Sequence, residues 1–469
     1  MTDTLTRTAT ATLDRPLETE SAPSGQYKAL AALCLGYFMV ILDTTVANVA
    51  LPDIQRQFGA SFSSLQWVVD GYALVFASLL LTGGAIADRF GGRRTYVTGF
   101  ALFTAASALC GVAPAIWLLL LARAVQGVGA ALLVPSSLSL LRALFPGTAQ
   151  RAKAIGIWVG TAGIAAGGGP VVGGFLVGWL SWRSAFAINV PFGLLGLALT
   201  LRYVRVAIGR ARERLDAGGP LASCLTLGGF TVAIIEGGAR GWLSPLALAG
   251  LSVGIIGFVL LFVAERASAE PMLPRDLVRL PGIGSGTAIG FLLNFGFFGQ
   301  FFLFSIYLQQ VRGLSPLATG VWLLPESGIV LFANVASGRL TARYGPRPPL
   351  VLGLSLAATG LLTLIPATGA TSYLPLAGAL FLVGLGMALG VPAVTASILE
   401  LAPAHQSGIS AAALNASRQM GGVVGVALLG ALASGPHAPL PHLHRSLLIA
   451  AGAMVIGVGV AAVRDERRP

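Results

Sequence analysis

Charged side chains are scarce in this sequence of 469 residues. Asp, Glu, Lys and Arg together make up 10% of it, whereas an ordinary soluble domain is roughly 25% charged. Lysine is almost absent, since Lys28 and Lys153 are the only two among 30 basic residues. So little charge cannot keep a large folded surface in water. The composition therefore excludes an ordinary soluble domain.

Cysteine is equally sparse, and the familiar patterns of catalytic or cofactor sites are missing. Cys34, Cys110 and Cys224 are an odd, scattered set, which argues against a disulfide framework or a zinc site. Neither lysine follows a glycine, so there is no phosphate-binding loop for ATP. No Ser/His/Asp or Cys/His nucleophile set is present, and we expect no metal at the histidines of residues 437–444. We predict that the protein is not an enzyme, has no cofactor and draws energy from an ion gradient.

Long apolar stretches are what the chain has in abundance. Mean hydropathy is +0.81, and about 20 apolar residues suffice for a helix to cross a bilayer. Fourteen stretches meet this requirement, which predicts an all-α polytopic membrane protein with 14 transmembrane helices. The predicted spans are 29–50, 66–86, 96–113, 116–141, 154–178, 184–201, 219–236, 244–264, 285–308, 318–338, 350–367, 374–398, 409–433 and 447–463.

The basic residues predict the orientation of these spans. Of the 30 Lys and Arg, 23 fall at the two termini and in the connections after even-numbered spans. Basic residues accumulate on the cytoplasmic side, so both termini are predicted to be cytoplasmic in a bacterial plasma membrane. A basic rim that faces anionic lipid also accounts for the net charge of +12. We therefore expect the lipid bilayer, and no nucleic acid, as a partner.

A weak internal repeat divides the chain into two halves. Gly84, Arg89, Gly91 and Arg93 recur 254 residues later as Gly338, Arg343, Gly345 and Arg347, and residues 127–135 recur 257 residues later as residues 384–392. Spans 1–6 therefore match spans 9–14, with spans 7 and 8 inserted. The predicted units are a disordered tail (1–27), a six-helix half (28–205), a linker with the inserted pair (206–280) and a second six-helix half (281–465). Transporters built from two such halves bind substrate near the midplane between them.

Ionisable residues inside the spans are candidates for function, because each costs at least ~2.5–3.5 kcal/mol at the centre of a membrane helix. A carboxyl group in a low-dielectric environment can gain and lose a proton near neutral pH. We predict Asp43, Arg123 and Asp70 for proton coupling. The alternative is that Asp43 and Arg123 form a permanent ion pair that holds helices together.

A second set of side chains is predicted to line a substrate cavity. It combines ionisable and polar groups with aromatic rings that suit an apolar cargo, although each ring could equally pack or face lipid. The set is Asp43, Trp67, Asp70, Tyr72, Gln126, Phe291, Phe295, Phe298, Glu326, Asn415 and Arg418.

Several motifs together resemble the major facilitator superfamily, and within it the fourteen-helix drug:proton antiporters of the EmrB/QacA type. Residues 42–52 (LDTTVANVALP) are similar to the first-helix signature of that family, and residues 84–94 to the loop motif after the second helix. Residues 123–130 and 156–174 resemble the fourth-helix motif and the fifth-helix antiporter motif. Gly92 stands where a basic residue is usual, and Ala165 replaces an expected glycine.

The resemblance implies two devices for conformational change. Gly84, Asp88, Arg89, Gly91 and Arg93 would form a charge latch between the halves on the cytoplasmic side, although Arg93 could be only a positive-inside anchor. Gly169, Pro170, Gly173 and Gly174 would let the fifth helix bend and pack closely.

These observations favour a monomeric exporter of small lipophilic compounds, such as drugs, antibiotics or antiseptic cations, in exchange for protons by alternating access. Two alternatives stay open. One is proton-coupled uptake of a small nutrient, against which the Gly-Pro pattern of the fifth span weighs. The other is a non-transporting membrane sensor or scaffold, which predicts no functional cost when Asp43, Asp70 and Glu326 are neutralised.

Overall fold

The computed structural model describes residues 24–205, 218–267, 276–277, 280, 282–403, 406–433 and 439–463. Within these ranges the chain forms sixteen α-helices and no strand. They are α1 (Ser24–Phe58), α2 (Phe62–Phe90), α3 (Gly92–Val112), α4 (Ile116–Leu144), α5 (Thr148–Trp179), α6 (Trp182–Ala187), α7 (Asn189–Tyr203), α8 (Gly218–Arg240), α9 (Pro245–Ala267), α10 (Ile283–Ile306), α11 (Pro316–Trp322), α12 (Leu324–Tyr344), α13 (Arg347–Leu364), α14 (Tyr373–Leu401), α15 (Ser407–Ala433) and α16 (Pro439–Val463). A π-helical turn at Tyr307–Val311 extends α10.

The fourteen-helix fold is confirmed, but two crossings are made of two helical pieces. Thirteen helices in the described part of the chain are long and apolar enough to span a membrane. The sixth of them comprises α6 and α7, which meet at Ile188. The predicted tenth span consists of α11 and α12, which meet at Leu323. Pro325 lies in the first turn of α12, where its missing N–H is tolerated.

Most of the helices are also longer than the predicted spans, and α1 begins at Ser24, inside the predicted tail. The rest of that tail, residues 1–23, lies outside the described residues, as do residues 206–217, 268–275 and 278–279 of the predicted linker.

The two halves pack in the same way. In the first half α1 packs on α5 and α7, α4 packs on α2 and α3, and α3 packs on α7. In the second half the matching helices do the same: α10 packs on α15 and α16, α14 packs on α12 and α13, and α13 packs on α16. The sequence repeat therefore corresponds to a structural one.

Individual residues of the repeat also occupy equivalent places. Gly91 and Gly345 both end a helix with positive φ, +95° and +81°, a conformation that glycine adopts without steric cost. Arg93 donates to the Leu201 carbonyl at the end of α7 (3.0 Å). Arg347 donates to Ala462, near the end of α16 (2.6 Å). Each arginine thus supplies a cation near a helix C-terminus, where it is favourable.

The inserted pair α8–α9 lies beside the interface between the halves. A Cβ atom at Gly257 would fall 2.5 Å from the backbone nitrogen of Thr226, so the two helices touch backbone to backbone. The α8 helix packs on both α2 and α15, one from each half. Only 22% of the apolar segment of α9 is buried within the protein, as expected for a helix that faces lipid.

The halves meet mainly along three helix contacts, α5 with α11, α5 with α12, and α2 with α15. Hydrogen bonds across this half–half interface lie at mid-membrane and toward the side away from the start of α1. Gln309 Nε2 donates to the Val49 carbonyl (3.0 Å), and Gln66 Nε2 donates to the Ala427 carbonyl (2.9 Å). The opposite side, where α1 begins, is called here the N-terminal side. Toward it, a Cβ atom added at Gly160 of α5 or at Gly338 of α12 would meet no other atom within 4 Å. These observations fit a cleft between the halves that opens toward the N-terminal side.

Candidate functional site

Asp43 is the centre of a buried polar network in the first half. Arg123 Nη1 lies 2.5 Å from Asp43 Oδ2. Gln126 Nε2 (2.8 Å) and Asn189 Nδ2 (2.9 Å) donate to the other carboxylate oxygen. The side chains of Arg123 and Asp43 are 1% and 0% exposed. Three donors satisfy both oxygens, so this geometry fits an ionised carboxylate paired with arginine.

Four transmembrane segments position this network. Arg123 and Gln126 are three residues apart on α4, a spacing that places them on one face of a helix, and Arg123 Nη1 also donates to Gln126 Oε1 (2.8 Å). Asn189 is the first residue of α7, directly after the break at Ile188. Ser107 of α3 accepts from Asn189 Nδ2 (3.0 Å) and donates to the Phe186 carbonyl (2.9 Å). The interruption of the sixth crossing thus delivers an amide to the carboxylate.

Further contacts of Arg123 come from α2. Its Nε donates to the Val68 carbonyl (2.9 Å), and the Tyr72 ring lies 4.4 Å from the guanidinium carbon. Cation–π contact of this kind is stabilising when both groups are desolvated. Tyr72, predicted to line the substrate cavity, is 2% exposed. The structure therefore places its ring against Arg123, inside the first half.

Asp70 belongs to a different place. It is fully buried, and neither carboxylate oxygen has a hydrogen-bond partner. Side chains two residues apart on a helix point in directions about 200° apart around the helix axis, so Asp70 faces away from Tyr72 and Arg123. It lies one turn from Gln66, whose side chain crosses to α15. Of the three residues predicted for proton coupling, the structure brings Asp43 and Arg123 together and leaves Asp70 on the α15 side of α2.

A second polar group lies in the other half. Glu326 is fully buried in the first turn of α12 and accepts from Gln300 Nε2 of α10 at 3.4 Å, while its Oε1 has no partner. Arg418 of α15 donates from Nε to Asn294 Oδ1, also at 3.4 Å. Asn415 is half-buried one turn before Arg418. These contacts are longer and fewer than those around Asp43.

The aromatic residues predicted to line the cavity lie largely where α10 meets α15. Phe291 and Phe295 stack with ring centroids 6.3 Å apart. Phe298 packs against Gly422, where an added Cβ atom would lie 3.2 Å from the Phe298 ring. Phe295 is buried, whereas Phe291, Phe298 and Trp67 of α2 are half-buried. Packing thus buries part of the surface of these rings, and the half-buried rings keep an exposed surface.

The predicted latch segment forms the connection between α2 and α3. Asp88 and Arg89 are exposed at the end of α2, and Gly91 makes the turn. Arg93 bonds to α7 of its own half, as an anchor would. The closest approach of α2 to α4 is at Gly83, where a Cβ atom would overlap the Ala131 carbonyl, whereas Gly84 has more room. A latch across the halves stays a prediction.

The predicted bend segment of α5 is one continuous helix through Pro170. A Cβ atom at Gly169 would overlap the Thr45 side chain, and one at Gly173 would lie 3.1 Å from Val46 of α1. On the side toward the second half, a Cβ atom at Gly174 would lie 2.5 Å from the Pro316 carbonyl oxygen. The glycines therefore allow α5 to fit between α1 and α11.

The histidine-rich loop holds no metal-like arrangement in the part that the structure describes. His437 lies outside the described residues, and His444 Nε2 lies 2.9 Å from the Ala367 carbonyl oxygen. Across the described ranges no group of three His, Cys, Asp or Glu side chains could hold a metal ion.

Comparison with known proteins decides the family. The profile described as Major Facilitator Superfamily matches residues 33–426. The chain belongs to the major facilitator superfamily. It is 37% identical over 408 residues to the methylenomycin A resistance protein of Streptomyces coelicolor, covering 87% of this chain and 85% of that one. It is 39% identical over 424 residues to the multidrug resistance protein Stp of Mycobacterium tuberculosis, covering 90% and 79%.

Solved structures confirm the superfamily fold. A crystal structure of the peptide transporter POT, an E310Q mutant in complex with sulfate, superposes with a TM-score of 0.72. It covers 93% of this chain and 94% of its own, at 17% sequence identity. At that identity the likeness concerns the fold alone.

Sequence reasoning missed several partners of the predicted site residues in this superfamily member. Asn189 stands in an Asn-Val-Pro segment of the sixth span. Ser107 and Gln300 are polar residues in otherwise apolar spans. Their polarity at such depth was the available sign, since buried polar groups need hydrogen-bond partners.

Proposed function

We propose that this protein exports small lipophilic drugs or antibiotics from the cytoplasm in exchange for protons. Its relatives include proteins named for resistance to methylenomycin A and to puromycin, and for multidrug resistance. We expect no cofactor, and export would draw on the proton gradient. The N-terminal side, which carries Lys28, Arg89 and Arg343, is assigned to the cytoplasm because basic residues favour that side.

The observation that carries the proposal is the buried Asp43–Arg123 pair in a transporter whose halves part on one side only. With the cleft open to the cytoplasm, Asp43 is ionised and held by Arg123. A proton that reaches Asp43 removes the negative charge and weakens that contact, since charge-assisted hydrogen bonds are about twice as strong as neutral ones. Protonation can therefore change how α1 and α4 pack, and through α1 the fit of α5.

The contacts between the halves support transport by alternating access. Cargo enters the cleft from the cytoplasm or the inner leaflet, and the halves then rock about α5–α11 and α2–α15. The outer contacts open, cargo leaves, and a proton from outside binds the carboxylate. Return to the inward-open state releases that proton to the cytoplasm. Each proton that moves down a membrane potential of 100 mV supplies about 2.3 kcal/mol, enough to maintain a steep cargo gradient.

Replacement of Asp43 by asparagine is expected to abolish proton-coupled export, because the amide cannot alternate between charged and neutral forms. The assay uses inverted membrane vesicles with an imposed proton gradient and a pH-sensitive fluorescent dye. Addition of methylenomycin A, puromycin or a lipophilic cation to wild-type vesicles should dissipate the gradient. Asp53→Asn, an acidic residue at the surface end of the same helix, is the matched control and should behave as wild type. Wild-type rates in Asp43→Asn would remove Asp43 from the coupling mechanism.

A further inference from the structure

Glu326 occupies the place in the second half that Tyr72 occupies in the first. A Cβ atom at Gly127 of α4 would lie 2.6 Å from the Tyr72 carbonyl oxygen. A Cβ atom at Gly384 of α14 would overlap the Glu326 carbonyl in the same way. The sequence offsets, 257 and 254 residues, are those of the internal repeat. The two helix contacts are therefore equivalent.

The counter-charge has no equivalent in the second half. In the first half Arg123 lies one turn before Gly127, pairs with Asp43 and touches Tyr72. The residue one turn before Gly384 is Leu380, which is fully buried. The second half thus has an acid where the first has a phenol, and an apolar side chain where the first has the cation.

The surroundings of Glu326 favour a neutral carboxyl group in this conformation. Its Oε1 has no hydrogen-bond partner, and neither has the Gln300 Oε1 atom. Burying an ionised carboxylate without a partner is costly. A protonated carboxyl group can instead donate to the Gln300 amide oxygen, because rotation of the glutamine amide exchanges the positions of its oxygen and nitrogen.

No charged group in the described part of the chain pairs with Glu326. The charged residues on the helices around it are placed elsewhere. On α12 itself, Arg339 and Arg343 lie at least 13 residues further along, about 20 Å in a helix. Those on the packed helices are Arg151 and Lys153 at the start of α5, Arg347 on α13, which bonds Ala462, Glu400 at the exposed end of α14, and Arg418 on α15, which bonds Asn294.

Glu326 is also linked directly to the half–half interface. The next residue, Ser327, donates from Oγ to the Gly167 carbonyl of α5 at 3.0 Å. Glu326 lies in the first turn of α12, just after the break at Leu323, and the N-terminus of a helix favours negative charge. When the cleft widens and water from the N-terminal side reaches Glu326, the ionised form gains both solvation and this helix dipole. A change of charge at Glu326 can therefore follow the movement of the halves.

We propose that Glu326 is a second protonation site, separate from Asp43, that carries one further proton in each transport cycle. The carboxylate takes a proton from the outside when the outer contacts open and keeps it in the buried state described above. It releases the proton to the cytoplasm when water from the cleft reaches it, and no other bond changes. This inference rests on the proposed proton-coupled export. It makes the proton:cargo ratio the property that Glu326 determines.

The test measures proton and cargo fluxes together in proteoliposomes that contain the full-length protein. Glu326→Gln keeps the shape of a protonated carboxyl but cannot exchange a proton. The ratio, measured on the cargo exchange that the variant retains, is expected to fall by about one proton per cargo molecule. Glu400→Gln, which removes an exposed carboxylate from the same half, should leave the ratio unchanged.

The possible outcomes separate this inference from the proposed function. Wild-type protein that moves cargo without protons would contradict the proposed function. Wild-type exchange whose ratio is unaltered by Glu326→Gln would overturn only the second site. Should Glu326→Gln fail to fold, cargo exchange is lost, and infrared difference spectra of wild type and Glu326→Asp decide instead. A pH-dependent carboxylic-acid band that shifts in Glu326→Asp supports the proposal, and an unchanged set of bands overturns it.

Discussion

Replacement of Arg123 by glutamine is expected to lower the free energy of unfolding by about 3–5 kcal/mol, because it leaves Asp43 as a buried charge without its partner. Export should be lost as well, since Asp43 would then remain protonated or disrupt the packing of α1 and α4. Stability is measured by denaturant unfolding in detergent micelles, and export by the vesicle assay. This is the largest effect that we expect from a single substitution.

The double variant Asp43→Asn/Arg123→Gln separates charge from packing. Two neutral side chains of nearly the same shape should restore much of the lost stability, so that the two effects are strongly non-additive. Proton-coupled export should still be absent, because no titratable group remains at the site. Arg94→Gln, an exposed arginine of the first half, is the control. Equal loss of stability in the single and double variants would mean that Arg123 does not compensate Asp43.

Replacement of Gly174 by alanine is expected to open the outer contact between the halves. The added methyl group would lie 2.5 Å from the Pro316 carbonyl oxygen and 2.8 Å from the Leu317 Cα, both backbone atoms that cannot move aside alone. Overpacking of this kind costs about 1–3 kcal/mol, which shifts a conformational equilibrium by about 5–150-fold. The inward-open state should lose population by that factor, and export should fall with it.

Spin labels on the two halves measure this shift directly. Ser61 and Ala370 are exposed on the side where the halves touch, and the distance between labels there should increase in Gly174→Ala. Gly168 lies six residues earlier on the same helix, and a Cβ atom added there would meet no other atom within 4 Å. Gly168→Ala should therefore keep the wild-type distance between the labels. Identical distance distributions in the two variants would show that the α5–α11 contact does not restrict opening.

The class, the number of crossings and the repeat were predictable because they depend on properties that add up along the chain. Length and hydropathy identify a membrane span without knowledge of its neighbours. The interruptions at Ile188 and Leu323 were not predicted, since an apolar stretch has the same composition whether or not its helix is continuous. Both breaks matter for function, because one places Asn189 beside Asp43 and the other starts the helix that carries Glu326.

The assignment of side chains to one site was harder, because it depends on which helix faces which. The sequence pointed to Asp43 and Arg123 for proton coupling, with an ion pair between them as the alternative, and the structure shows the two side chains in contact. Their part in coupling stays a prediction. Whether Asp70 belongs with them depends on which face of α2 is turned toward Arg123. Polarity alone does not reveal this when residues on both faces of the helix are buried. Tyr72 was interpreted as a lining residue for the same reason.

The most direct test of the account is cargo movement by purified protein in sealed liposomes under pH differences of opposite sign. Proton-coupled export predicts that cargo accumulates in the more acidic compartment, and that reversing the pH difference reverses the direction of accumulation. Accumulation in the more alkaline compartment would indicate symport. Cargo that distributes equally under both gradients would contradict proton coupling altogether.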